Sequence, residues 1–136
     1  MYELFEHTAD LGLRITAPTL DALFADAAKC LFAAIVEHPE AVRPQVERRV
    51  EVAGTDREYL LFDWLRALLV VCDTDKLVFA DFDVTVTDAG LTATARGEPL
   101  DPDRHGLSHE VKAITYHELK VEQTADGWLA EVIVDI

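Results

Sequence analysis

The chain has 136 residues, half of them apolar, and sets 12 basic side chains against 26 acidic ones, for a formal net charge of −14. That length suits one ordinary domain with a real core, so disorder is not the default state. A polyanion repels phosphate backbones, which excludes direct non-specific RNA or DNA binding as the main activity; a basic protein partner or divalent cations suit this surface better.

Only four lysines occur, Lys29, Lys76, Lys112 and Lys120, and the one adjacent basic pair is Arg48-Arg49. No apolar run approaches the roughly 20 residues of a membrane span. Met1-Tyr2-Glu3 does not open a secretory signal, so a cytoplasmic location is expected. Cys30 and Cys72 lie in helix-like apolar segments and read as buried thiols, not as a disulfide. There is no CxxC pair for zinc.

Near the start, Tyr2 and Leu4, then Leu11, Leu13 and Ile15, alternate as in strands, with a break at His7-Thr8-Ala9-Asp10. Residues 20–36 follow helical spacing through Leu20, Leu23, Phe24, Ala27, Ala28, Leu31, Phe32 and Ile35, with Thr19 as cap and His38-Pro39 as stop. Residues 46–53 alternate as a half-buried strand despite Arg48 on the apolar face. Thr55 and Glu58 have capping-box spacing ahead of a helix through about Cys72. That helix is apolar nearly all round, with only Asp63 and Arg66 interrupting, so it is central or lies in an interface.

Phe82, Val84 and Val86, the turn Asp88-Ala89-Gly90 and the run from Leu91 predict a hairpin. A second hairpin runs from Leu119 to Gln123 and back from Trp128 to Ile136. Between them GEPLDPDRHGLSHEVKAITYHEL reads as an irregular connection of about a dozen residues leading into a strand, and long loops are often functional. The resulting fold class is α+β: a mainly antiparallel sheet with two long helices packed against it, in one compact domain over residues 1–136.

Three places offer chemistry. In the last strand Asp135 precedes Ile136, whose terminal carboxylate makes a second adjacent anion. In the first loop Asp10 either stabilises a turn or supplies a ligand. If Asp10 met Asp135 and the Ile136 carboxylate, three oxygen donors would select a hard cation such as Ca²⁺ or Mg²⁺ over structural zinc. Solvated groups and a turn remain the simpler reading of these residues alone. The third place holds His105, His109, Lys112 and His117; His105 and His109 would share a helix face, but Gly106 weakens a helix there. No phosphate loop, GxSxG elbow or recognised Cys-His nucleophile pair is present.

Taken together, HTADLGLRI, TLDALFADAAKCLF, LLFDWLRALLVVCDTDKLVFADF, the long connection with its VKAITYH segment, and the final GWLAEVIVDI resemble the archease family over essentially the whole chain. The resemblance implies a non-enzymatic partner of the GTP-dependent RNA ligase that joins 3′-phosphate or 2′,3′-cyclic phosphate ends to 5′-hydroxyl ends in tRNA splicing and RNA repair. Such a partner promotes guanylylation of the ligase histidine and multiple turnover. It also implies a divalent cation, calcium being the expected ion, held by Asp10, Asp135 and the main-chain carboxylate of Ile136, and a role for Lys112 in ligase activation. His7 is then a structural or supporting residue. Two alternatives stand beside this reading: a metal-dependent hydrolase using Asp10, Asp135 and His7 around a bound water, and a chaperone-like module using the long apolar helix.

Overall fold

The computed structural model describes all 136 residues. Strand β1 (Tyr2–His7) turns directly into β2 (Asp10–Ala17), helix α1 (Leu20–Ile35) follows, and a single 3₁₀ turn at Pro39–Ala41 leads to β3 (Val46–Ala53). Helix α2 (Arg57–Asp75) passes into the hairpin β4 (Leu77–Thr87) and β5 (Gly90–Pro99), then the short helix α3 (Pro102–His105). The two-residue strand β6 (Ala113–Ile114) precedes the hairpin β7 (Lys120–Thr124) and β8 (Gly127–Asp135).

The strands form two antiparallel sheets. One runs β1-β2-β8, with β6 and β7 both pairing to the far edge of β8; the other runs β3-β5-β4. The sequence predicts one mainly antiparallel sheet. Local hairpin pairing sorts the strands into two, because β3 is followed by a helix and joins the β4–β5 hairpin, while the last strand returns to β2. The helix α1 packs on β2 of the first sheet and β4 of the second. Its buried side chains Phe24, Leu31 and Phe32 fill the space between, with Phe32 edge-on to Phe79 and stacked on Phe82.

The starts of the two long helices follow from capping, one of them not as the spacing suggests. Thr19 accepts from the Ala22 amide, as expected. At α2 the cap is Asp56, one residue after Thr55: its carboxylate accepts from the Glu58 and Tyr59 amides. An aspartate beside the first free amides outcompetes the threonine, and it also complements the helix dipole. Glu58 is then released from the box and its carboxylate accepts from the Val121 amide, tying α2 to β7. Asp56→Ala is therefore expected to cost about 1 kcal/mol in urea unfolding, while Thr55→Ala leaves the midpoint unmoved; equal effects would restore the threonine cap.

Helix α2 is buried on most sides, as its composition demands. Between its ends only the narrow stripe Tyr59, Asp63, Arg66 and Val70 is exposed, together with Arg57 at the start and Asp73–Asp75 at the finish, and Trp64 donates its indole N–H to the Phe24 carbonyl at 2.9 Å. Asp63 and Arg66 do not pair. Arg48 resolves as half-buried, with its guanidinium 3.8 Å from Asp75 at the end of α2. Cys30 and Cys72 are free and buried; burial pushes their thiols up to about 12 and about 11, which leaves them unreactive at neutral pH.

The long connection is more ordered than its composition suggests. Glu98 is 3% exposed and His105 is fully buried. Arg104 donates to both carboxylate oxygens of Glu98, the Arg43 amide donates to one at 2.7 Å, and His105 Nε2 lies 3.0 Å from the same oxygen. The Asp101 amide donates to His105 Nδ1. His105 is thus a satisfied core histidine. It shares no helix face with His109, because Gly106 at φ +72 ends α3, and the His109 amide is bonded to Ala34.

Candidate functional site

The first sheet turns alternate residues of β1, β2 and β8 outward. Near its middle, Phe5 lies across Gly12: a β-carbon at Gly12 would fall 2.2 Å from the Phe5 ring, so only glycine lets the ring lie flat. The Arg14 guanidinium sits 4.4 Å above that ring and bonds Glu3 and Glu131. Burial works against the Glu131 carboxylate, but its bonds to Arg14 and Lys120 outweigh that and hold its pKa below the ordinary value. This end of the outward face is charge-balanced.

The other end is not. His7 pairs with Asp10 across the β1–β2 turn, and Leu11 pairs with Val134. Continuing that antiparallel register by one residue sets Asp10 opposite Asp135, both on the outward face with Arg14 and Glu131. On the other edge of β8, Ala113 pairs with Asp135, which sets Lys112 beside Ile136; the Lys112 amide donates to the Asp135 carbonyl at 2.7 Å. Neither aspartate nor the Ile136 carboxylate forms an ion pair, and Lys112 forms none. Lys112 is exposed and stands just ahead of a strand only two residues long, shorter than the run Lys-Ala-Ile-Thr-Tyr-His suggested. The Ile136 side chain packs against the core, anchoring the chain end.

Carboxylates gathered without a basic partner have the donor chemistry of a hard cation. The residues fit a Ca²⁺ or Mg²⁺ ion on that ground, and their register keeps them within one sheet end.

The segment after β6 closes over this end. The Thr115 amide and hydroxyl both donate to the Ile133 carbonyl. Tyr116 stacks on Phe62 of α2 with ring centroids 3.9 Å apart and meets Tyr59 edge-on. His117 lies edge-on to His7, and Glu118 reaches back to His7 Nε2 at 3.2 Å. The sequence singles out His7 and His117 separately; nothing in their spacing joins them, and Glu118 carries no signal at all.

The architecture is that of a small α+β scaffold whose outward sheet end carries carboxylates and imidazoles, with Lys112 at its edge beside Ile136. Residues 2–136 match the model of the archease protein family, and the chain belongs to that family. It is 45% identical over 140 residues to the archease protein of Pyrococcus abyssi and 42% identical over 139 to that of Methanopyrus kandleri, covering 98% and 99% of their lengths. Among solved structures it is similar to protein 1598 of Methanobacterium thermoautotrophicum, at 33% identity over 99% of this chain and 98% of that one with a TM-score of 0.79. The fold also matches an archease of Thermotoga maritima, described as a possible chaperone, at 22% identity over 100% and 98% of the two chains with a TM-score of 0.69.

Proposed function

We propose that this protein is a non-catalytic accessory factor that activates a GTP-dependent 3′-phosphate/5′-hydroxyl RNA ligase in the cytoplasm, in tRNA splicing and RNA repair. What supports the reading is the β2–β8–β6 register, which carries Asp10, Asp135, Ile136 and Lys112 to one end of one sheet, on a chain whose family match spans residues 2–136. A protein of charge −14 docks readily on the basic surface of an RNA-binding enzyme and avoids holding the RNA itself. No helix is long and apolar enough to cross a membrane.

The chain's residues divide the work. Asp10, Asp135 and the Ile136 carboxylate hold a divalent cation, calcium being the best-suited ion, which supplies positive charge to an otherwise anionic tip. Lys112, its backbone fixed by the hydrogen bond from its amide to the Asp135 carbonyl, offers an exposed ammonium that forms no ion pair within the chain to a phosphate or nucleotide in the partner's site. Together they promote guanylylation of the ligase and its repeated turnover. A hydrolase at the same place is less well supported. His7 would have to serve it as a base, yet Nε2 faces Glu118 and Nδ1 is buried.

The test is multiple-turnover ligation of a cleaved tRNA by the ligase with and without this protein. Wild type is expected to raise product per ligase above one, and Asp10→Ala, Asp135→Ala and Lys112→Ala to lose most of that gain while remaining folded. Unchanged turnover with wild type, or full activity in all three variants, would sink the proposal.

A further inference from the structure

The cluster of His7, His117 and Glu118 is a different kind of site from the oxygen set beside it. It offers two imidazole nitrogens and one carboxylate, each within 4.8 Å of the others. His7 Nε2 stands 3.2 Å from Glu118 Oε2, and His117 Nε2 stands 3.8 Å from Glu118 Oε1. Tetrahedral zinc with bonds near 2.0–2.1 Å holds neighbouring donors roughly 3.3 Å apart, so small side-chain rotations complete the set.

We propose that His7, His117 and Glu118 bind a zinc-class transition metal, separate from the hard-cation set, with one coordination position open to solvent. Imidazole donors give the selectivity: they favour zinc and its neighbours, whereas calcium and magnesium take oxygen. The open position follows from burial. The side chains of His117 and Glu118 are each 62% exposed while that of His7 is 25% exposed, so the three donors approach from the protein side and leave the outer side free. Three protein ligands with a free fourth position are the pattern of reactive rather than structural zinc.

The metal is exchangeable and does not hold the fold. Metal-binding histidines usually donate their second ring nitrogen to a fixed acceptor, which orients the ring and strengthens the bond. His7 Nδ1 is buried and has no such partner, so only Nε2, which faces the cluster, anchors the ring. The 115–119 segment is independently held by Thr115 on β8 and Tyr116 on α2, and it keeps its place with or without metal. The site does not depend on the ligase reading. A protein or nucleotide donor could occupy the open position, but the metal binds the free chain.

The untagged full chain is titrated with Co²⁺ in saturating Ca²⁺, which fills the oxygen set and leaves the imidazole set to cobalt. One Co²⁺ per chain is expected, with the visible absorption of four-coordinate cobalt, bleached by added Zn²⁺. His117→Ala and Glu118→Gln, both at exposed positions, should each weaken binding at least tenfold with unchanged circular dichroism, and Asp10→Asn should leave it intact. Chelation should lower the melting temperature only by the amount that metal binding adds, leaving the chain folded. No cobalt uptake in the presence of Ca²⁺, or uptake lost in Asp10→Asn and retained in His117→Ala, overturns the proposal.

Discussion

Glu98→Ala is expected to cost at least about 3 kcal/mol in urea unfolding, the range for removing one partner of a buried ion pair. For a chain of this size that is a large share of total stability. The reason is where Glu98 sits. Its carboxylate is buried in the β5 strand and is the common acceptor for Arg104, the Arg43 amide and His105. Without it, the fully buried His105 ring loses its partner with no water to turn to, and the Arg43 amide loses its acceptor. The same residue gives a pH signature. Hydrogen bonds from Arg104 first, then the Arg43 amide and His105, hold its carboxyl at about 2 against an ordinary 4.5, although burial alone would raise it. The folded state therefore binds fewer protons than the unfolded state between those values. The stabilisation is complete above pH 4.5 and is lost as pH falls from 4.5 towards about 2. Glu98→Gln keeps the shape and part of the bonding, so its unfolding midpoint should fall less than that of Glu98→Ala and should lose this acid dependence. A Gln variant with the wild-type acid profile would show that another carboxylate is responsible.

This buried hub also marks where local pattern stops being informative. Helix α1 is written in the spacing of its own apolar stripe and ends one residue before the predicted limit, because one face meets two sheets and nothing competes with it. The strand over 46–53 falls where alternation placed it, and Arg48 stays half-buried because Asp75 at the end of α2 meets it, a partner 27 positions away that alternation cannot reveal. The α2 cap moved by one residue because Thr55 and Asp56 are both competent and only the final backbone decides. The sequence offers His105 only as a weak helix-face pair with His109, and its burial is not legible because Glu98, its partner, falls in the stretch that reads as an irregular connection. For the candidate site, the residues alone read Asp10 as a turn and Asp135 as part of a solvated chain end; the family resemblance is what groups them, and β2 and β8 run side by side. The joining of His7 to Glu118 stayed hidden: it needs a loop to cross the sheet face, a contact between residues 111 positions apart.

Extending the chain beyond Ile136, for example with a short Gly-Ser tail, should weaken calcium binding on the order of a hundredfold or more, the span between Ca²⁺ site classes that differ in ligand charge. The argument turns on charge, not on shape. The side chain of Ile136 packs against the core and β8 is held by β2 on one edge and β6 on the other, so a tail leaves the strand in place. What changes is the terminal carboxylate, which becomes a neutral amide and takes one of three anionic donors from the proposed set. Two aspartates then remain on the outward face, with less repulsion for a cation to relieve and less attraction to offer it. Calorimetry with Ca²⁺ reads the loss directly, and thermal melting in chelator confirms that the tailed chain is as stable as wild type. If ligase activation passes through this set, multiple-turnover ligation should fall in parallel, and raising Ca²⁺ should restore part of it. Lys112→Ala separates the two roles: it should depress ligation while leaving calcium affinity the same or slightly higher, since it removes a positive charge near the cation. A tailed chain that binds Ca²⁺ as tightly as wild type removes Ile136 from the ligand set and leaves the two aspartates to account for any metal bound there.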